Sequence, residues 1–172
     1  LEKPDTILFF DLFAYSTEDD IKMMAEDKII ELSLAISNLF LAERIPLLLL
    51  FQEKKLQMTE IVTKRDLEDF YQHCNEMTFQ AREKGPELFL DWIRDQPLHQ
   101  AYLLITPFLS EKIFTELLRL RKLGLRLSFF YIRCQREDSS TAMLKAMEEA
   151  GIDVYDIWMD NDLLEIYGLN SR

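Results

Sequence analysis

Apolar side chains fall in short runs separated by amphipathic stretches. Thr6 to Leu12, Pro46 to Gln52 and Ala101 to Thr106 are almost continuously apolar, the pattern of strands buried on both faces. Leu125 to Ile132 and Ile152 to Trp158 read as two more strands. Lys55 to Val62 instead alternates through Leu56 and Met58 after a Glu53-Lys54 turn. That predicts an antiparallel, half-exposed edge strand, charged as edges usually are.

Helical spacing fills the gaps. Ile29, Ile30, Leu32, Ser33, Ile36, Leu39 and Phe40 predict a helix over about Glu26 to Glu43, with Tyr15 to Asp20 an acidic loop before it. Thr63-Lys-Arg-Asp66 has capping-box spacing, followed by Leu67, Phe70, Tyr71 and Cys74 at i, i+3, i+4 and i+7. Gly85-Pro86 breaks the chain, and Leu88, Phe89, Trp92 and Ile93 form the stripe of a short helix ending before Pro97. Ser110 caps a helix to about Leu123 that Gly124 ends, and Thr141 opens another that Gly151 closes. A last short helix is expected from Asn161 or Asp162 to Tyr167. Strands alternating with helices predict an α/β three-layer sandwich: a mostly parallel six-stranded sheet with one antiparallel edge and helices on both faces. With no repeat, low-complexity tract or Gly/Ser linker, residues 1–172 read as one domain.

Composition narrows the function classes. Lys and Arg number 20 against 31 Asp and Glu, a formal charge of −11 that opposes broad nucleic-acid binding. Only 4 glycines are present and no two are close enough for a phosphate-cradling loop, which excludes the dinucleotide fingerprint and the Walker A loop. Cys74 and Cys134 lack CxxC spacing and read as reduced thiols, so a cytoplasmic location is expected. His73 and His99 form no familiar zinc spacing with them. The longest apolar run, Pro46 to Phe51, is too short to span a bilayer. The chain opens on Leu1, as expected of a piece of a longer protein, and any membrane anchor would lie outside it.

The order strand, long helix, hairpin, helices, then strand–helix–strand–helix–strand resembles a von Willebrand factor A domain over nearly the whole chain. More narrowly, it resembles the C-terminal half of an uncharacterised bacterial family often encoded beside MoxR-type AAA ATPases. The carriers are Ile7-Leu-Phe-Phe-Asp11, Leu103-Leu-Ile-Thr-Pro-Phe-Leu-Ser110, Leu117 to Ile132, and Leu144 to Asp162. That family's more diagnostic segment precedes this domain and is not in this chain. The resemblance implies a Rossmann-like topology and a metal-ion-dependent adhesion site, in which Asp-x-Ser-x-Ser, a loop Thr and a further Asp hold Mg²⁺. Here the motif reads Asp11-Leu-Phe13-Ala-Tyr15, with Ser16 one residue late, Thr106-Pro107 where an Asp is wanted, and Thr63 as a match for the loop Thr that also explains itself as a helix cap. Asp11 is thus a vestigial metal candidate in a degenerate site, and neither Mg²⁺ nor any other cofactor is expected.

What the resemblance then implies is a non-enzymatic protein–protein interaction domain, an adaptor or scaffold working with a MoxR-type ATPase. Its expected partner-binding rim is Asp11, Phe13, Tyr15, Ser16, Thr63, Thr106 and Phe108. Phe13 and Tyr15 read equally as loop core or as exposed aromatic anchors. Asp11 alone also reads as a carboxylate accepting backbone N–H bonds at a strand end. A second function of another class is a divalent-metal-dependent hydrolase or phosphoryl-transfer enzyme using Asp11 with Asp19 and Asp20, which requires those carboxylates to converge. Those acids also suit a helix start, where negative charge meets the dipole. A third possibility is a purely structural domain. Asp153, Asp156, Asp160, Asp162 and Glu165 concentrate negative charge near the end of the chain, enough to steer a basic partner.

Overall fold

Thr6–Phe10 (β1), Leu47–Gln52 (β2), Leu56–Ile61 (β3), Ala101–Thr106 (β4), Arg126–Arg133 (β5) and Asp153–Trp158 (β6) pair into one sheet in the order β3-β2-β1-β4-β5-β6. All pairings are parallel except β2 with β3. The computed structural model describes residues 4–135 and 139–160; the expected helix from 161 to 167, with Asp162 and Glu165, lies outside them. The helices are Asp19–Ala42 (α1), Lys64–Glu76 (α2), Gly85–Ile93 (α3), Glu111–Lys122 (α4) and Ser140–Glu149 (α5).

Period-two alternation divides the strands between two cores. Leu8, Phe10, Leu49, Phe51, Leu103, Ile105, Phe130 and Ile132 meet Ile29, Leu32 and Ile36 of α1 and Phe70 of α2. On the opposite face, Ile7, Phe9, Leu50, Tyr102, Leu104 and Phe129 meet Phe89 and Ile93 of α3, Ile113 and Leu117 of α4, and Leu144 and Met147 of α5. This is the three-layer sandwich expected, with the hydrophobic first strand in its middle.

Helix α1 begins at Asp19 rather than near Glu26, with Asp19 and Asp20 in its first turn. Small residues mark its inner face further along: the buried hydroxyls of Ser33 and Ser37 donate to the carbonyls of Ile29 and Ser33, each at 2.7 Å, which removes their hydrogen-bonding need. Gly124 and Gly151 end α4 and α5 with φ of +106° and +96°.

The topology fixes what lies at the carboxyl ends of the parallel strands. After β1 the chain turns toward α1 and β2, whereas β4, β5 and β6 lie to the other side. The β1–β4 boundary is therefore the point where strand order reverses, the place where α/β sheets open a crevice. Helix α2 then carries the chain back to that same end of the sheet, where residues 77–84 are pinned across the rim. Thr78 N–H donates to Glu53 Oε1, Arg82 N–H to Gln52 Oε1, and Ala81 N–H to the carbonyl of Leu12.

Candidate functional site

Asp11 stands at the end of β1, where its N–H still donates to the carbonyl of Ile105 on β4 at 3.0 Å. Its side chain is 1 % exposed. A carboxylate so placed must be satisfied from within. Oδ2 accepts the Tyr15 hydroxyl at 2.6 Å and the Thr106 hydroxyl at 2.7 Å, and Oδ1 accepts Phe13 N–H at 3.0 Å. The donors are held in turn: Gly85 N–H donates to Tyr15 Oη at 3.2 Å and Phe108 N–H to Thr106 Oγ1 at 3.1 Å. Two loops, after β1 and after β4, and the start of α3 therefore converge on one acid.

Gly85 is there because nothing larger fits. A Cβ on it would lie 2.3 Å from Asp11 Cγ and 2.6 Å from Oδ2. The Gly85-Pro86 pair, legible in sequence as a chain break, is also the closest backbone approach to the site. Above the carboxylate the rings close ranks. Phe13 and Tyr15 have centroids 4.7 Å apart, Tyr15 and Phe108 stack at 5.4 Å and 9°, and Lys84 Nζ sits 4.3 Å from the Phe108 centroid.

The expected rim is thus brought together in part. Asp11, Phe13, Tyr15, Thr106 and Phe108 form one contiguous network. Ser16 stands beside it and accepts Glu18 N–H at 3.1 Å. Thr63 is a correction: β3 runs antiparallel to β2, with Gln52 facing Leu56 and Leu47 facing Ile61, so the chain leaves β3 at the amino ends of the parallel strands. Thr63 sits at the opposite end of the sheet from Asp11 and caps α2, accepting Asp66 N–H while Asp66 accepts its own. Lys84 and Gly85 are the residues that sequence reading missed. Their only signal was Gly85-Pro86, which periodicity reads as punctuation.

Burial is the largest influence on Asp11 and lifts its carboxyl from 3.8 to about 6, against the opposing pull of Tyr15, Phe13, Thr106 and Gly85, which favour the charge. Burial and then the nearby Asp11 charge raise the Tyr15 hydroxyl far above its ordinary value, so it stays a donor. The folded state holds the Asp11 proton to higher pH than the unfolded chain does. Its contribution therefore falls as pH rises from about 4 to about 6, by about 3 kcal/mol. Carboxyl NMR titration is expected to give Asp11 a midpoint near 6, and the stability gap between wild type and Asp11→Asn is expected to widen on acidification through that window. A midpoint below 4 would contradict this.

This donor set is complementary to an anion. Both hydroxyl hydrogens are committed to Oδ2 and an amide takes Oδ1, which is the reverse of the lone-pair presentation a hard cation needs. Among the described residues no three His, Cys, Asp or Glu side chains come together to hold a metal ion. The residues present do not fit the Mg²⁺ of an adhesion site. Nor does the convergence required of Asp11, Asp19 and Asp20 occur: Asp11 is buried, whereas the other two are exposed on the first turn of α1. Burial, then the Glu53 charge, pushes the Cys74 thiol up to about 11, away from thiolate chemistry. Asp156, expected to steer a partner, is held by the buried Arg133 at 2.9 and 3.0 Å.

Beside the ring stack a cleft of about 520 Å³ opens, lined among others by Tyr15, Lys22, Glu26, Phe79, Phe108 and Tyr131. It lies at the carboxyl ends of the strands, beside the β1–α1 and β4–α4 loops that flank the point where strand order reverses. Glu26 is held above its usual carboxylate range by burial, with Lys22 Nζ 4.0 Å away.

No family model matches the chain, and no curated protein matches it in sequence. In structure it is similar to proximal thread matrix protein 1 from the mussel byssus: TM-score 0.59 at 12% identity, covering 96% of this chain and 45% of that one. A second crystal form of the same protein gives 0.56 at 11%, covering 95% and 45%. The chain thus spans about 45% of the length of that protein, and at this identity the likeness establishes the fold alone. Among the described residues no helix is long and apolar enough to cross a membrane.

Proposed function

We propose that this chain is a non-enzymatic protein–protein interaction domain of von Willebrand A type with a degenerate adhesion site, acting as an adaptor for a MoxR-type AAA ATPase. The observation that carries this reading is the closed network at Asp11. The acid at the place of the lost motif has its oxygens taken up by Tyr15, Thr106 and Phe13 rather than offered to a cation. What remains accessible at the rim is aromatic and mixed in charge, the composition of a docking surface more than of a coordination site. The rim consists of the β1–α1 loop, Thr106 to Phe108 and Lys84, without Thr63. Reduced cysteines at Cys74 and Cys134 are in keeping with a cytoplasmic setting.

Titration calorimetry with Mg²⁺ and Mn²⁺ is expected to give no stoichiometric heat. A saturating heat that Asp11→Ala abolishes would overturn the degenerate site. Purified MoxR-type ATPase from the same organism is expected to bind the immobilised domain and to bind Phe108→Ala at least about tenfold more weakly, the loss of one aromatic hot spot. No binding at near-millimolar ATPase would sink the adaptor role.

A further inference from the structure

At one border of the sheet β3 pairs with β2 on one side only. Helix α2 packs against β3 on one face. On the other face α3 packs on β1 and β4, and Leu56 and Met58 are left 39 % and 57 % exposed, flanked by exposed Lys54 and Glu60. A strand edge bearing two large apolar side chains is a template for another strand.

We propose that the occupant of this edge is β3 of a second copy of this chain, paired antiparallel about a twofold axis through Gln57. The register follows from geometry. A twofold axis that joins antiparallel strands into one sheet stands perpendicular to that sheet, so every side chain keeps its face and only residues of the same face come opposite one another. Centred on Gln57, the pairing sets Leu56 opposite Met58 twice and Lys55 opposite Thr59. It also brings Lys54, in the turn just before the strand, level with Glu60 of the second copy. The two exposed apolar residues cover each other, and two opposite-charge pairs flank them. Centring on Leu56 or Met58 instead sets Lys54 opposite Met58 or Val62, and Glu60 opposite Gln52 or Leu56, losing both charge pairs. Within the chain neither Lys54 nor Glu60 has an ion-pair partner among the described residues. Gln57 at the axis is held from its own chain, its Nε2 donating to Glu53 Oε2 at 2.9 Å. This surface is separate from the rim around Asp11.

Sedimentation of the whole chain from low micromolar to near-millimolar concentration is expected to show a reversible monomer–dimer equilibrium. Lys54→Glu and Glu60→Lys, each alone, place like charges opposite and are expected to weaken it by about tenfold or more. The two together in one chain restore the complementarity and are expected to recover the dimer, a recovery that damage to the fold could not produce. A wild type that stays monomeric throughout overturns the proposal. So does a dimer indifferent to both single reversals, or one that the double reversal leaves as weak as either single.

Discussion

Asp11→Ala is expected to destabilise the domain by roughly 3–5 kcal/mol, among the largest losses a single substitution produces here. The side chain is sealed, and its removal strands the Tyr15 hydroxyl, the Thr106 hydroxyl and Phe13 N–H without their acceptor. Each buried donor left unmet costs about 1–3 kcal/mol. Re-aiming of the hydroxyls and relief of the buried charge offset part of that sum. Because the charge is what burial opposes, the loss is expected to be greater at pH 4.5 than at neutral pH, in step with a carboxyl midpoint near 6. Urea unfolding at the two pH values measures it. A loss under about 1 kcal/mol would mean that the network contributes no more than an ordinary surface contact.

Gly85→Ala is the steric counterpart. Gly85 does not have a positive φ, so the substitution isolates contact from backbone conformation. A methyl group 2.3 Å from Asp11 Cγ cannot be accommodated by rotating a side chain, since the Asp11 Cβ is itself 2.5 Å away. The start of α3 must move off the end of β1. Overpacking of this kind costs about 3 kcal/mol, which for a chain of this size lowers Tm by roughly 6–12 °C. Thermal unfolding followed by circular dichroism tests it, and a wild-type Tm would show that the two segments separate freely.

The strands and most helices were legible because their apolar positions repeat with the period of the element that buries them. The start of α1 was not, and the reason is visible in its first turns. Met23 is 61 % exposed, and the one buried position before the expected start at Glu26 is Ala25, a small side chain that leaves no apolar stripe to read. Further along, Lys28 lies on the apolar face and places Nζ 3.0 Å from Glu31, a buried position that reads in sequence as a polar one. Thr63 was ambiguous in a different way. Capping chemistry and ligand chemistry need the same hydroxyl, and only the direction of β3 decides which end of the sheet it occupies. Asp11, Phe13, Tyr15, Thr106 and Phe108 could be grouped in advance only through the resemblance to a von Willebrand A domain, which implies that the loops after these two strands share one rim. The contribution of Gly85 could not, since its value lies in an absent side chain and a long-range approach that no local pattern encodes.

The central position of β1 also orders events during synthesis. Its partners are Leu47 to Leu50 on one side and Ala101 to Ile105 on the other, and the hydroxyl that Thr106 gives Asp11 comes from 95 residues away. A nascent chain can close β1, β2, β3 and α2 into a half-sheet well before β4 emerges. Until then one hydrogen-bonding border of β1 lacks its β4 partner and the Asp11 carboxylate lacks Thr106, so the growing polypeptide carries a sticky, half-solvated seam while residues 11 to 100 are made. Ribosome-bound intermediates truncated before Ala101 should therefore be the species most prone to misassociation, and release of Thr106 the step that seals them.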